Sequence, residues 1–551
     1  MRLVQGPSDH VVVVGAGLSG LSAALYLLSA GRSVTVVERE DGPGGRAGFL
    51  AAAGYRIDTG PTVLTMPDLL DEALGAVGER LSDRVELHHL HPAYRARFAD
   101  GSHIDVHTDP HAMEAEILRV ADRADAVGYG RMRRWLERLY QVQMRSFIDT
   151  NFDSPLGVLG ADLARLAALG GFGSWHGRVA RFVRDERLRR IFSFQALYAG
   201  VSPTRALAAY AVIAYMDTVA GVSFPKGGMH AVPRAMAAAA QAAGATFAYG
   251  STVRAVERAG GRATAVHTSD GRRIACDAVV LTCDLPVAYR LLGRTPRRAV
   301  PLRYAPSAVV LHMGGRRTWP ELGHHTLSFG HAWEHTFDQL TRSGELMSDP
   351  SLLITSPTAT DPDLAPPGRH LYSVLAPCPN LRIGPRDWDR LAPRYREQIY
   401  AELERRGLTG FGEETEFERI VTPADWARQG LAAGTPFSAA HTFAQTGPFR
   451  PRNLPRGWDN VVLAGCGTTP GVGVPVAVIS GKLAAARITG AHRQRPHRAP
   501  TRGSAPYTVG ADGADGADGK YGRDGTASST GAVGADGAES ADGTVGADGA
   551  R

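Results

Sequence analysis

Val11-Val12-Val13-Val14 runs directly into Gly15-Ala16-Gly17-Leu18-Ser19-Gly20, and nothing else in the sequence restricts the fold as much. A short unbroken β-branched run is the pattern of a strand buried on both faces. From Leu18 to Ala30 apolar residues recur at helical spacing, and Gly31 stands where such a helix would stop. Val34-Thr35-Val36-Val37 supplies a second buried strand. In such a unit Gly15 permits the tight turn, Gly17 lets the backbone approach a pyrophosphate, and Gly20 lets helix and strand pack closely. The helix start offers free N–H groups and a positive dipole end to phosphates. Glu38 ends the second strand, where a carboxylate accepts hydrogen bonds from ribose hydroxyls; a solvated strand-end acid is the bland alternative. A lone GxGxxG decides little, but strand, turn, helix, strand and acid together predict a dinucleotide site. The same strand reading answers the resemblance of Arg2 and the following apolar run to a signal peptide, since no small-residue cleavage site follows a long apolar core.

With 551 residues the chain is long enough for two or more domains. A second αβ block spans about 229–284. Ala231–Ala243 favours helix, three short strand-like runs follow between Ala245 and Thr268, and Asp270-Gly271 marks a hairpin into Arg272–Cys276. A third block, from Asn460 to about Gly490, reads as strand, glycine-rich turn and closing helix. The intervening stretches differ: the first is rich in Ala, Leu and Arg and reads mainly as helices, whereas the second carries strand-like runs such as Ala308–Met313. The expected architecture is α/β. A discontinuous Rossmann-type domain comprises 10–70, 223–290 and 455–490, and substrate-binding, membrane-associating α+β inserts comprise 71–222 and 291–454. Residues 491–551 are poor in large apolar groups and read as a disordered low-complexity tail.

Further motifs identify the dinucleotide. Gly42-Pro43-Gly44-Gly45-Arg46 follows Glu38 directly, and Asp58-Thr59-Gly60-Pro61-Thr62 comes next. Near the C-terminus, Asn460 to Val474 (NVVLAGCGTTPGVGV) is followed by Ser480, and Ser223 to Met229 reads SFPKGGM. Over roughly residues 10 to 490 this set resembles the bacterial-type phytoene desaturases, carotenoid desaturases among the FAD-dependent, amine-oxidase-like flavoproteins. Cys466 and Thr469 stand where relatives often have Ala and His, so any role of that His is absent here.

The resemblance implies FAD as cofactor, with Gly15, Gly17, Gly20, Glu38, Gly45, Arg46, Gly60, Pro61, Thr62, Val253, Gly465, Gly473 and Val474 around it. Val253 belongs to a strand pair expected to bring a backbone contact to the adenine. A surface-turn arginine is the alternative for Arg46. The implied activity is desaturation of phytoene to lycopene, or to an intermediate such as neurosporene, with oxygen or a quinone as electron acceptor. A carotenoid ketolase or a desaturase of another carotenoid is the alternative. Hydride loss beside a polyene leaves a delocalised allylic cation whose neighbouring C–H is acidic, so a weak base or water suffices and catalytic residues are hard to read; His312 is the weak candidate. The carotenoid would come from the membrane, to whose cytoplasmic face the protein would bind peripherally. Ala206–Met216 is weighed as an interfacial surface against a buried core segment. No run is long and apolar enough to suggest a transmembrane helix. A net charge of +6 without a dense basic run in the body speaks against nucleic acid, and the paired His324-His325 and the four scattered cysteines lack metal-site spacing.

Overall fold

The computed structural model describes residues 1–296, 298 and 300–491; the low-complexity segment lies outside them. The all-valine run is the centre of a five-stranded, wholly parallel sheet in the order Val461–Leu463, Ala278–Leu281, His10–Val14, Ser33–Val37, Thr246–Ala248. Val13 lies opposite Val36 on one side and Val280 on the other. Val11, Val12, Val13, Val279 and Val280 are fully buried, as strands covered on both faces must be.

The helix Leu18–Ser29 covers one face and packs against Ala231–Ala242 and Val474–Thr489. Its tie to the last helix is polar as well as apolar: Ser19 and Ser22 donate from Oγ to the carbonyls of Ala477 and Val478, at 2.8 and 2.7 Å. A Cβ on Gly481 would overlap the Ser19 carbonyl, so that glycine sets how closely the helices approach. A small antiparallel sheet, Val253–Ala259, Arg262–Thr268 and Arg273–Ala275, closes the other face.

The second sheet has seven strands, in the order Thr415–Val421, Ser307–Gly315, His370–Cys378, Leu352–Thr355, His325–Phe329, Tyr94–Phe98, His103–Val106. One face carries Val309, Leu311, Tyr372 and Val374 and packs on the helix Trp388–Arg405 through Trp388, Tyr395 and Ile399. The other belongs to the main core, shared with the helices between 110 and 220 and with the parallel-sheet unit. Two of these strands come from the stretch expected to be mainly helical. The reason is local: Tyr94-Arg95-Ala96-Arg97-Phe98 alternates buried and half-buried residues, the period of a strand, inside an otherwise Arg- and Leu-rich region. The Ala206–Met216 stretch is core rather than surface. Ala206, Ala208, Ala211, Val212 and Ala214 are all buried, and Tyr215 stacks on Tyr140 with ring centroids 4.3 Å apart.

Candidate active site

The glycine turns named from the sequence meet in one place. Gly15 takes φ of +107°, and a Cβ there would run into the Thr282 hydroxyl, which itself donates to the Val14 carbonyl at 2.8 Å. On Gly20 a Cβ would overlap the Gly15 carbonyl oxygen, so the helix can start this close to the strand only without a side chain. Gly44 donates its N–H to the Ala16 carbonyl at 2.9 Å, and a Cβ on Gly45 (φ +57°) would lie 3.1 Å from the Gly17 Cα. The two turns therefore lie back to back. Gly60 belongs to the same stack, where a Cβ would overlap the Arg46 carbonyl; Pro61 and Thr62 continue from it half-buried. Glu38 is buried, its carboxylate accepting from the Ala16 N–H at 2.6 Å and the Glu40 N–H at 3.0 Å, which fixes it beside the first glycine turn. Val253 packs with Val14 and Val37 in the core on the other side of the parallel sheet.

Two further contacts tie these turns to Ser223-Phe224-Pro225-Lys226-Gly227-Gly228-Met229. Asp58 accepts from the N–H groups of Met229 and His230 at 2.8 and 3.1 Å, and His230 Nε2 reaches the Pro43 carbonyl at 2.7 Å. Burial raises the Asp58 carboxyl to about 6, against the lowering pull of those two N–H groups. Arg46 lies above the stack, half-buried. Its Nε and one Nη have no hydrogen-bond partner, and the nearest acid, Asp284, is 3.7 Å away.

The C-terminal loop closes the site. Gly465, Gly471 and Gly473 have φ of +101°, +149° and +130°, out of reach of ordinary side chains. Ser480 Oγ accepts from the Gly465 N–H at 2.9 Å and donates to the Thr469 carbonyl at 3.0 Å, so the serine of the sequence motif pins its own loop. The buried Arg450 was not marked by the sequence. It donates to the carbonyls of Thr468 (2.9 Å), Cys466 (2.8 Å), Ala439 (3.1 Å) and Gln445 (3.3 Å), binding the glycine loop to the 439–445 segment. His441, whose hydrogen bond joins it to the Tyr210 hydroxyl at 2.9 Å, presses on Gly471, so an imidazole stands beside this loop although position 469 is Thr. Val474 opens the helix Val474–Thr489.

This arrangement fits a dinucleotide-type cofactor. Two helices begin at glycines, Gly17 and Gly473, without a side-chain cap, so their first N–H groups remain for an anion. Gly45, Gly60 and Gly473 stay exposed, and a guanidinium with unused donors stands among them.

His312 lies elsewhere. A polar row crosses the seven-stranded sheet in register, with His312 opposite Ser373, Ser373 opposite Thr355 and Thr355 opposite His325; Tyr94 follows beside His325, ring centroids 5.6 Å apart. Residues directly opposite share a face, here the one toward the helical insert. His312 Nδ1 bonds Ser373 Oγ at 2.9 Å, His325 Nδ1 bonds Thr355 Oγ1 at 3.2 Å, and Thr355 donates to Thr62 Oγ1 at 3.1 Å. The row thus touches the Asp58–Thr62 turn at its middle. His312 stands at one end, four strand spacings from Tyr94, about 19 Å. Burial lowers His312 to about 4, which keeps the ring neutral.

Comparison with known proteins places this geometry. The model of the flavin containing amine oxidoreductase family matches residues 18–489. The chain is 69% identical to a phytoene dehydrogenase of Streptomyces griseus over 507 residues, 92% of this chain and 100% of that one. It is 36% identical to the zeta-carotene-forming phytoene desaturase of Myxococcus xanthus, covering 90% and 97% of the two chains. Among solved structures, an oxidoreductase from Methanosarcina mazei superposes with a TM-score of 0.57 at 18% identity, covering 86% of this chain and 99% of that one, a likeness of fold alone. The chain belongs to the flavin-containing amine oxidoreductases, within their bacterial phytoene desaturase family.

Proposed function

We propose that this chain desaturates phytoene with FAD as the oxidant, forming lycopene or an intermediate such as neurosporene. The observation that carries the reading is the 69% identity that runs the full length of the Streptomyces phytoene dehydrogenase. The glycine stack and the uncapped helix starts are what such a cofactor requires. FAD, when bound, supplies hydride acceptance.

The residues of the chain hold and orient it. Gly15, Gly17 and Gly20 present the start of the first helix to the pyrophosphate, and Glu38 is set to receive the ribose. Val253 lies toward the adenine. Gly45, Arg46, Gly60, Pro61 and Thr62 line the flavin side, and Arg46 has donors free for a phosphate or ring oxygen. Gly465, Gly473 and Val474 bring backbone N–H groups to the ring. In this assignment 10–70, 223–290 and 455–490 bind FAD, while 71–222 and 291–454 bind substrate. The electron acceptor is oxygen or a quinone.

A hydrocarbon substrate has to leave a bilayer, and we place the protein peripherally on its cytoplasmic face. No described helix is long and apolar enough to cross a membrane. The surface that suits docking is a patch of Leu156, Leu159, Phe443 and Phe449, which are 73%, 65%, 61% and 44% exposed. The turns that carry them pack together, and Arg298 reaches the Phe449 carbonyl at 3.0 Å, which adds a cation at the rim. Large apolar side chains grouped at a surface mark an interaction site.

Expression in cells that accumulate colourless phytoene tests the function, because each added double bond lengthens the chromophore and the pigment spectrum counts the steps. A red product gives lycopene, and a yellow one an enzyme that stops early, as the name of the Myxococcus relative describes for that protein. Unchanged phytoene beside folded, flavin-loaded protein would refute the phytoene reading in favour of a ketolase or a desaturase of another carotenoid.

A further inference from the structure

Under the seven-stranded sheet, at the Tyr94 end of the polar row, lies a buried carboxyl group that neither the sequence motifs nor the cofactor cradle uses. Asp217 is 3% exposed and sits in the π-helical turn Met216–Ala220, a wide turn that recurs at functional sites. Tyr94, from the sheet, and Gln195 lie against it, and Tyr198 lies close enough to interact electrostatically. Among the described residues its interacting partners are neutral. Tyr94 and Gln195 meet it through their own side chains, so the carboxyl is held by neutral polar groups, and His325 Nε2 on the next strand is buried without a hydrogen-bond partner. A buried carboxyl ringed by neutral polar groups, beside an unmet imidazole nitrogen, points to a chemical task. The surroundings are apolar and aromatic: Phe194 packs edge-on to Tyr94 and Tyr198, and Phe329 and Trp333 follow.

Resting on the function given above, we propose that Asp217 takes the proton lost at each desaturation step, and that Tyr94 and His325 form its exit toward the Thr355–Thr62 contact. Each new C=C bond costs the substrate one hydride and one proton from adjacent carbons. The hydride, with its electron pair, goes to FAD as the oxidant. The C–H electron pair on the neighbouring carbon becomes the π bond, and its proton passes to the Asp217 carboxylate, which becomes the neutral acid. Burial raises Asp217 to about 7, so a carboxylate held here both accepts and releases a proton near neutrality. His312 is the competing base, at the opposite end of the row.

The test follows anaerobic bleaching of the flavin in single turnovers, from about pH 5 to 9, with the full-length flavin-loaded protein and phytoene in liposomes. Wild-type rates should rise through neutrality. Asp217→Asn, matched in flavin content and melting temperature, should lose the rise and about 10²–10⁴-fold in rate, while His312→Gln keeps both. A second readout needs no turnover: the infrared carbonyl band of a protonated carboxyl should titrate near neutrality and vanish in Asp217→Asn. Bleaching by Asp217→Asn at the wild-type rate, or a band that titrates in the ordinary carboxylate range, overturns the proposal. Should Asp217→Asn not fold, Asp217→Glu decides, since a displaced pH profile supports the assignment and an unchanged one overturns it. Wild-type protein that phytoene does not bleach overturns the function and this proposal together, whereas an indifferent Asp217→Asn beside an active wild type overturns the proposal alone.

Discussion

Single atoms decide much of the proposed cofactor site. A Cβ on Gly60 would overlap the Arg46 carbonyl, and neither partner is a flexible side chain that can turn away. Gly60→Ala should therefore cost about 1–3 kcal/mol, read as a lower melting temperature and less FAD per chain by absorbance. Gly42, with open space around its Cβ position, is the control: Gly42→Ala should retain FAD. Asp58 gives a prediction in pH. Its folded carboxyl, raised by burial to about 6, holds its proton where the unfolded chain, near 4, has lost it. The native state then binds more protons between those values, so stability falls as pH rises from about 4 to 6, by on the order of 2 kcal/mol. Asp58→Asn should flatten that segment of the melting-temperature profile; an unchanged slope would assign it to other groups.

Elements are held by contacts of quite different sequence range, which decides what can be read in advance. The first glycine turn is legible because its partners are neighbours: strand, turn, helix and Glu38 fall within about thirty residues, and each glycine answers a local steric demand. The strand Tyr94–Phe98 is legible in principle from its alternation, but arginines at the half-buried positions blur the contrast that period two requires. Arg450 has no local mark at all. It lies in an irregular stretch, and its meaning comes from carbonyls on both sides that only the folded loop brings together. The same holds for the polar row, whose members come from five strands and are united by register alone. Arg450→Met keeps the volume and removes every donor, leaving the buried carbonyls of the glycine loop unmet. A loss of about 3 kcal/mol or more is expected, with flavin release on heating before global unfolding; simultaneous loss of both would give Arg450 a general structural role instead.

On the scale of the whole molecule, the apolar patch and the cofactor cradle are separable, which gives the membrane assignment its own test. Leu156→Glu with Phe443→Glu should leave melting temperature and flavin content unchanged, because both side chains are mostly in solvent. The partition coefficient onto anionic vesicles, read by sedimentation, should fall by about 10²-fold or more, since transfer of two large side chains is worth about 1.5–3 kcal/mol each. Equal sedimentation of wild type and variant would place any lipid contact elsewhere.

The interlocking of the first and last helices bears on the life of the nascent chain. The strand His10–Val14 leaves the ribosome early, yet the Val461–Leu463 strand, two places away in its sheet, and the Val474–Thr489 helix follow about 450 residues later. At about 5–20 residues per second that is roughly 20–90 s of synthesis during which the parallel sheet lacks its Val461–Leu463 edge strand and Leu18–Ser29 lacks the last-helix part of its cover. The proposed cofactor cradle is therefore a product of chain completion. Chains that stop short of residue 455 should emerge insoluble and free of flavin, and during translation the early strands should be clients of chaperones.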